Sequence, residues 1–296
     1  MTVHEMERGP APARDPGPLR VAAGLLAANP LGLFGLITVI LIVLSAILAP
    51  WLSPYDQTQI MAGPRLAPPS LDHWLGTDQL GRDVFSRVLV GGRIALQVAL
   101  ASVAGALTLG LALGLLAGFG PRWLDNIIML FFDTVRSFPV VIFGLATVTV
   151  IGPSLMTIIF IVVVTSIPTF GRVARTQTLA IRNNEFILAE RAMGAGTARI
   201  LSVHILPNII GPLLILASMD IPVVITIEAG LSFLGVGVPP PAPSWGSILN
   251  DGFSFIRNTP WPVIAGGIPL IVTTLAFTFL GEALRDIFDP KLRKDV

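Results

Sequence analysis

Four ionisable side chains interrupt long apolar runs and are the first candidates for chemistry. Asp133 and Arg136 lie three residues apart in one run, and Asp220 and Glu228 lie eight apart in a later one. A spacing of three places two side chains on one helix face, so Asp133 and Arg136 are predicted to pair. A spacing of eight leaves Asp220 and Glu228 within about 80° of each other. Ionisable groups in apolar helices line a pathway or bond to neighbouring helices, and both interpretations stay open for Asp133, Arg136 and Asp220. Glu228, near the end of its run, is expected to pack at an interface and to have a structural or gating role.

Enzymatic chemistry is not indicated by the remaining residues. The three histidines, His4, His73 and His204, are far apart without metal-ligand spacing, and there is no cysteine. No catalytic motif is recognisable, and no GxxxxGK[ST] phosphate loop is present. We therefore expect a chain that is not an enzyme, holds no metal or cofactor, and binds no ATP itself. Without a basic run, no nucleic-acid partner is expected.

The composition indicates that these residues are carried by membrane-spanning elements. The chain is 53% hydrophobic and only 12% charged, whereas soluble domains carry about 25% charged residues. Several apolar runs approach the length of about 20 residues that crosses the hydrocarbon core. In lipid, only a helix satisfies the backbone of an open segment. The sequence predicts an all-α integral membrane protein with six transmembrane helices, at residues 31–50, 94–119, 126–150, 153–170, 209–236 and 262–284.

Lysine and arginine set the expected orientation. They concentrate in the segments that face the cytoplasm if the N-terminus is inside, so both termini are predicted to be cytoplasmic. Residues 1–20, rich in proline, are expected to be a disordered cytoplasmic tail, and residues 21–296 the membrane domain. The predicted outer loops are 51–93 and 237–261. Arg82, Arg87 and Arg93 depart from the charge rule, which suggests a short interfacial helix.

The largest inner loop contains "ERAMGAGTARILSVHILPN", residues 190–208. Asn184 is placed to cap a helix over 185–193, and Gly194 to end it in the left-handed conformation. Thr197 is placed to cap a second short helix, which Pro207 bounds. Helices this short are unstable alone in water. Ile187, Leu188, Ala192 and Met193 are therefore expected to be exposed unless a partner's groove covers them or they rest on the membrane surface, and the residues favour neither.

This loop resembles the EAA loop of ABC-importer permeases. With Gly194 on the glycine of that pattern, Leu206 and Pro207 fall on its Leu-Pro. Leu188, Ala189 and Glu190 occupy the Glu-Ala-Ala positions and only Ala189 matches, so Glu185 or Glu190 would supply the acid. The resemblance implies a coupling loop, at about 180–207, that docks on an ATPase. The implied docking residues are Glu185, Leu188, Ala189, Glu190, Ala192, Gly194, Leu206 and Pro207.

Three further segments resemble the dipeptide/oligopeptide/nickel permease family, in particular its second permease subunit. They are "HWLGTDQLGRDVFSRVLVGGR" (73–93), "EAGLSFLGVGV" (228–238) and "PSWGSILNDG" (243–252). The resemblance implies half of a translocation pathway for peptides in the bacterial inner membrane, surrounded by lipid. It also implies a homologous second permease subunit, two cytoplasmic ATPases that bind ATP and Mg, and an extracytoplasmic substrate-binding protein. Nickel complexes, glutathione and oligosaccharides stay open as cargo, and a stand-alone secondary transporter is a weaker alternative.

Overall fold

The computed structural model of the chain describes Gly24, Leu26 and residues 29–288. The predicted tail, 1–20, and the basic residues Lys291, Arg293 and Lys294 lie outside the described residues. The helices are α1 (Pro30–Leu52), α2 (Val84–Phe119), α3 (Arg122–Ser137), α4 (Val140–Ile151), α5 (Leu155–Ile181), α6 (Glu185–Ala192), α7 (Thr197–Arg199), a π-helical turn (Ile200–Ile205), α8 (Leu206–Phe233), α9 (Trp245–Ser254) and α10 (Trp261–Phe288).

The all-helical prediction is confirmed, and one predicted span is divided. Within the described residues, five helices are long and apolar enough to cross a membrane, or six if α3 and α4 count as one broken span. The predicted span 126–150 corresponds to that pair, which is bent by 90°. The bend lies at Phe138 and Pro139, both outside helical geometry. A proline disfavours helical backbone in the residue before it, which accounts for the break.

The N-terminal part of α2 replaces the predicted interfacial helix. Asp83 caps α2 by accepting the N–H of Ser86 at 2.8 Å, so the helix begins ten residues before the predicted span, at Val84. Arg87 and Arg93 therefore lie on α2, and Arg82 lies just before its cap. At about 1.5 Å per residue, the 36 residues of α2 cover roughly 54 Å.

Small residues bring α2 and α5 into backbone contact along most of their length. Gly110, Gly114 and Gly118 recur every four residues on α2. A Cβ at Gly114 would lie 2.6 Å from the Cβ of Ala174, and one at Gly118 would lie 2.7 Å from that of Thr178. Small residues at this spacing are typical of close helix packing in membranes.

The amphipathic helix α3 packs against α5 and is joined to it by two ion pairs. Asp125 accepts two hydrogen bonds from Arg175, at 2.5 and 2.7 Å, and Asp133 accepts one from Arg172. The two acids are eight residues apart on α3 and the two arginines are three apart on α5, so both ends of α3 are connected to the same helix. The predicted pair of Asp133 with Arg136 is wrong, because the partner of Asp133 comes from another helix.

Candidate functional site

The helix α6 ends in the glycine turn that the sequence predicts. Gly194 has φ +84°, its N–H donates to the Arg191 carbonyl, and the N–H of Ala195 donates to the Glu190 carbonyl, both at 3.0 Å. These two bonds define a Schellman motif, in which a left-handed residue satisfies the last carbonyls of a helix. Asn184 is the N-cap residue, as predicted, but its side chain makes no capping hydrogen bond among the described residues.

The apolar side chains of α6 divide between the core and the surface. Ile187 is fully buried, which corrects the expectation that it is exposed. Leu188 and Ala192 are exposed as expected, and Met193 is 74% exposed. Phe186 is exposed too, although the sequence reasoning did not identify it. The buried side chain of Ile187 therefore holds this short helix against the protein, while the adjacent side chains of Phe186 and Leu188 face outward.

Three contacts brace this segment against the end of α2 and the π-helical turn. The guanidinium of Arg191 lies over the Phe119 ring, 4.8 Å from its centroid, and Arg182 donates to the Gly118 carbonyl at 2.8 Å. His204 Nε2 lies 3.4 Å from a carboxylate oxygen of Glu190. Glu190 is thus engaged within the chain, whereas Glu185 is exposed in the first turn of α6. We call residues 185–207 the coupling segment.

The second half of the coupling segment differs from the prediction. Thr197 begins α7 but Gly196 is its cap, and Pro207 does not end a helix. The chain continues from α7 through the π-helical turn into α8, where Leu206 is the first residue and its N–H bonds to the Leu201 carbonyl. Proline lacks an N–H, so it leaves a carbonyl of the preceding turn free, and a π turn is one way for a helix to accommodate this. Leu206 is half-buried and Pro207 exposed.

The four ionisable residues of the apolar runs lie in two different environments. Asp133 and Arg136 are exposed on α3. On α8, Asp220 is half-buried, and its Oδ2 has no hydrogen-bond partner among the described residues. Glu228 is fully buried and accepts the hydroxyl of Ser232 at 2.7 Å. The structure therefore places the four residues at separate positions rather than in one cluster.

The three motif segments, 73–93, 228–238 and 243–252, meet at the other end of the helices, which we call the motif end. Trp245 of α9 is buried there and donates its indole N–H to the Val88 carbonyl of α2 at 3.0 Å. A Cβ at Gly91 or Gly92 would lie 3.1 or 3.0 Å from the Trp245 ring, so these glycines make room for it. The sequence predicted two ordered outer loops. It did not reveal that these two loops pack together. The signal that could have shown this was the glycine pair Gly91 and Gly92, which leaves space for the ring of Trp245.

Buried ion pairs order the motif end. Arg82 contacts Asp78 at 2.6 Å, and His73 Nδ1 lies 2.9 Å from Asp83. Asp251 of α9 lies 3.3 Å from Arg82 and 3.4 Å from Arg87. Since Asp78 and Asp83 belong to one motif segment and Asp251 to another, the charges connect the segments in space.

Comparison with known families identifies the family of the chain. The family described as "Binding-protein-dependent transport system inner membrane component" matches residues 110–294, and "N-terminal TM domain of oligopeptide transport permease C" matches residues 17–69. The chain belongs to this family of transport permeases. It is a multi-pass protein of the bacterial inner membrane.

Curated relatives match the permease over most of its length. It is 39% identical to the dipeptide transport system permease protein DppC of Alkalihalophilus pseudofirmus, over 93% of this chain and 91% of the relative. It is 38% identical to the oligopeptide transport system permease protein OppC of Bacillus subtilis, over 90% and 88% of the two chains. The glutathione transport system permease protein GsiD of Pectobacterium atrosepticum is 40% identical, over 86% and 85%.

Solved structures share the fold of the permease. A membrane-subunit chain from the inward-facing MetNI methionine ABC transporter has a TM-score of 0.57 at 20% identity, and covers 69% of this chain and 97% of its own. An amino acid ABC transporter with histidines gives 0.52 at 16% identity, covering 67% and 92%. The predicted helical membrane fold is thereby confirmed.

Proposed function

We propose that the chain is one of two homologous membrane subunits of an ATP-driven importer and forms half of its translocation pathway for peptides. One observation carries this proposal: the coupling segment presents exposed apolar side chains on a braced helix. The names of the relatives support the cargo, since two are named for dipeptides and oligopeptides and one for glutathione. Nickel complexes and oligosaccharides are the competing cargo classes.

The exposed face of α6 is the surface on which we place the ATPase. Phe186, Leu188 and Met193 are exposed, while Ile187 and the contacts to α2 hold the helix in place. An amphipathic helix can lay its exposed apolar face into a groove of a partner protein. Glu185, Ala189, Ala192 and Gly194 border the same exposed surface. ATP and Mg would bind to the partner ATPases. ATP hydrolysis there would be coupled to the membrane helices through this contact.

The assignment of the pathway residues rests on burial and hydrogen bonding. Asp220 is our leading candidate, because it is half-buried on a spanning helix with one carboxylate oxygen unpartnered among the described residues. Glu228 also has one carboxylate oxygen without a partner among the described residues, but it is fully buried and accepts a hydrogen bond from Ser232, which favours a structural or gating role. Asp133 and Arg136 are exposed on α3, so they would face a pathway only where the second permease subunit covers that helix.

Cysteine labelling tests the docking surface directly, because the chain has no cysteine of its own. Leu188→Cys and Met193→Cys should react with a hydrophilic maleimide in the permease pair alone and be protected when the two ATPases are bound. The matched control is Leu71→Cys, a 95% exposed position at the motif end, which should label equally in both states. Unchanged labelling at both test positions would refute docking. Poor labelling even without the ATPases would indicate that the helix rests on the membrane.

Reconstituted transport tests the cargo. Proteoliposomes containing both permeases and the ATPases, supplied with the binding protein, should take up a labelled tripeptide only when ATP is present. ATP-dependent uptake of a nickel complex or an oligosaccharide, with no peptide uptake, would show that the peptide assignment is wrong. Uptake by this chain alone without ATP would instead identify a secondary transporter.

A further inference from the structure

A cavity of about 350 Å³ opens at the motif end, beside the ion pairs that join the motif segments. Arg82, Arg87 and Asp251 line one side of it, with Gln79 and Asn250 near them. The apolar part of the lining includes Val238, the three prolines at 239–241, and Ala242. A mostly apolar cavity of about 300 Å³ or more with a few polar groups on one side is typical of small-ligand sites.

Within this cavity wall, Arg87 is the residue whose bonding is incomplete. Its side chain is only 4% exposed, yet its Nε is 3.7 Å from Asp78 and its Nη2 is 3.4 Å from Asp251. Its Nη1 has no hydrogen-bond partner among the described residues. By contrast, Arg82 contacts Asp78 at 2.6 Å. Buried polar groups are nearly always hydrogen-bonded. Although the Nη1 itself is enclosed, Arg87 borders the cavity and makes only long contacts through its Nε and Nη2, so its guanidinium has capacity for a further acceptor on the cavity side.

The groups around Arg87 specify what that acceptor is. Asp251 contacts both Arg82 and Arg87, at 3.3 and 3.4 Å, and its side chain is 29% exposed. The ion pairs nearest the cavity are therefore long and partly open to solvent. Asn250 donates its side-chain amide to the Phe233 carbonyl at 2.6 Å, which leaves its Oδ1 free to accept. A ligand carboxylate matches the fork of a guanidinium. Peptide N–H groups match the acceptor oxygens of Asp251 and Asn250.

We propose that this cavity binds the carboxyl end of a short peptide, with Arg87 receiving the carboxylate and Asp251 and Asn250 accepting its N–H groups. This inference rests on the proposed peptide cargo. It assigns the permease a recognition site of its own, apart from the binding protein. The two arginines and the two aspartates, Asp78 and Asp251, balance in charge, so the site suits a zwitterion rather than a bare anion.

Protection of a single cysteine measures this binding in the assembled transporter. Ala242→Cys lies on the cavity wall and is half-buried. Tri-alanine should slow its reaction with a membrane-impermeant maleimide, and tri-alanine amide should need about tenfold higher concentration, because a hydrogen bond to a charged group is lost. Reaction at Leu71→Cys should be unaffected by either peptide.

Two second-site variants link the protection to the named residues. Arg87→Gln in the Ala242→Cys background should abolish the difference between tri-alanine and its amide. Asn250→Ala, at an exposed position, removes one side-chain hydrogen bond to the Phe233 carbonyl and should weaken protection by both peptides equally. Both variants are compared only as assembled complexes of normal yield.

Three outcomes would overturn the inference. They are no protection by tri-alanine, equal protection by the peptide and its amide, and protection by ligand-free binding protein alone, which would mean that a loop of that protein fills the cavity. Uptake of tri-alanine by the wild-type transporter is measured in parallel. Normal uptake without protection refutes only this site, whereas absence of all peptide uptake refutes the proposed cargo.

Discussion

Replacing Gly194 by alanine changes the backbone energetics of the coupling segment and little else. Gly194 has φ +84°, and a Cβ at this position would meet no atom of the chain within 4 Å. The methyl group is therefore accommodated in space but strained in the left-handed conformation. That strain costs about 1–2 kcal/mol for a residue other than glycine. The ratio of the formed to the unformed Schellman turn should fall by a factor of about 5–30.

Gly196 supplies a control of the same chemistry. A Cβ at Gly196 also meets nothing within 4 Å, but its φ is −71°, which any residue adopts. Gly196→Ala adds the same methyl group two residues away without the strain. Gly194→Asn should fall between the two, because asparagine tolerates the left-handed region better than alanine does.

Peptide-stimulated ATP hydrolysis by the purified transporter is the measurement that separates these variants. If the turn presents α6 to the ATPase, Gly194→Ala should lower stimulated hydrolysis severalfold and leave complex yield near normal, while Gly196→Ala should match the wild type. Equal activities for Gly194→Ala and Gly196→Ala would refute the reasoning, since the φ difference would then have no functional consequence. Equal losses in both would instead point to a steric clash with a partner.

Other expected outcomes follow from packing, charge and orientation. Gly114→Val should lower the melting temperature of the complex strongly, because even a Cβ there would lie 2.6 Å from that of Ala174; an unchanged melting temperature would contradict the backbone contact between α2 and α5. A double-mutant cycle of Asp125→Asn and Arg175→Gln should show a coupling of about 1 kcal/mol in thermal unfolding, and strictly additive losses would show that the bidentate pair does not hold α3. Leu71→Cys should react with an impermeant maleimide on intact cells; reaction only after lysis would reverse the predicted orientation.

The local pattern of residues was sufficient to predict the class of the protein and the turn of its coupling segment. Long apolar runs require helices in lipid because no other open segment satisfies its backbone there. Gly194 could be assigned because a helix ending in a left-handed residue is a local event, decided within about six residues. The motif resemblances were likewise local strings, and the comparison confirms the family that they indicated.

The partners of charged residues were decided by the tertiary structure alone. Spacing on one helix paired Asp133 with Arg136, but α3 packs against α5, and Arg172 of α5 is the residue that bonds to Asp133. Ile187 belongs to a short polar-looking loop by sequence, yet the fold places it in the core. The cavity beside Arg87 forms because α2 and α9, more than 150 residues apart in sequence, meet through Trp245. The periodicity of a sequence shows which residues share one face of a helix. Only the tertiary packing determines which residues that face contacts.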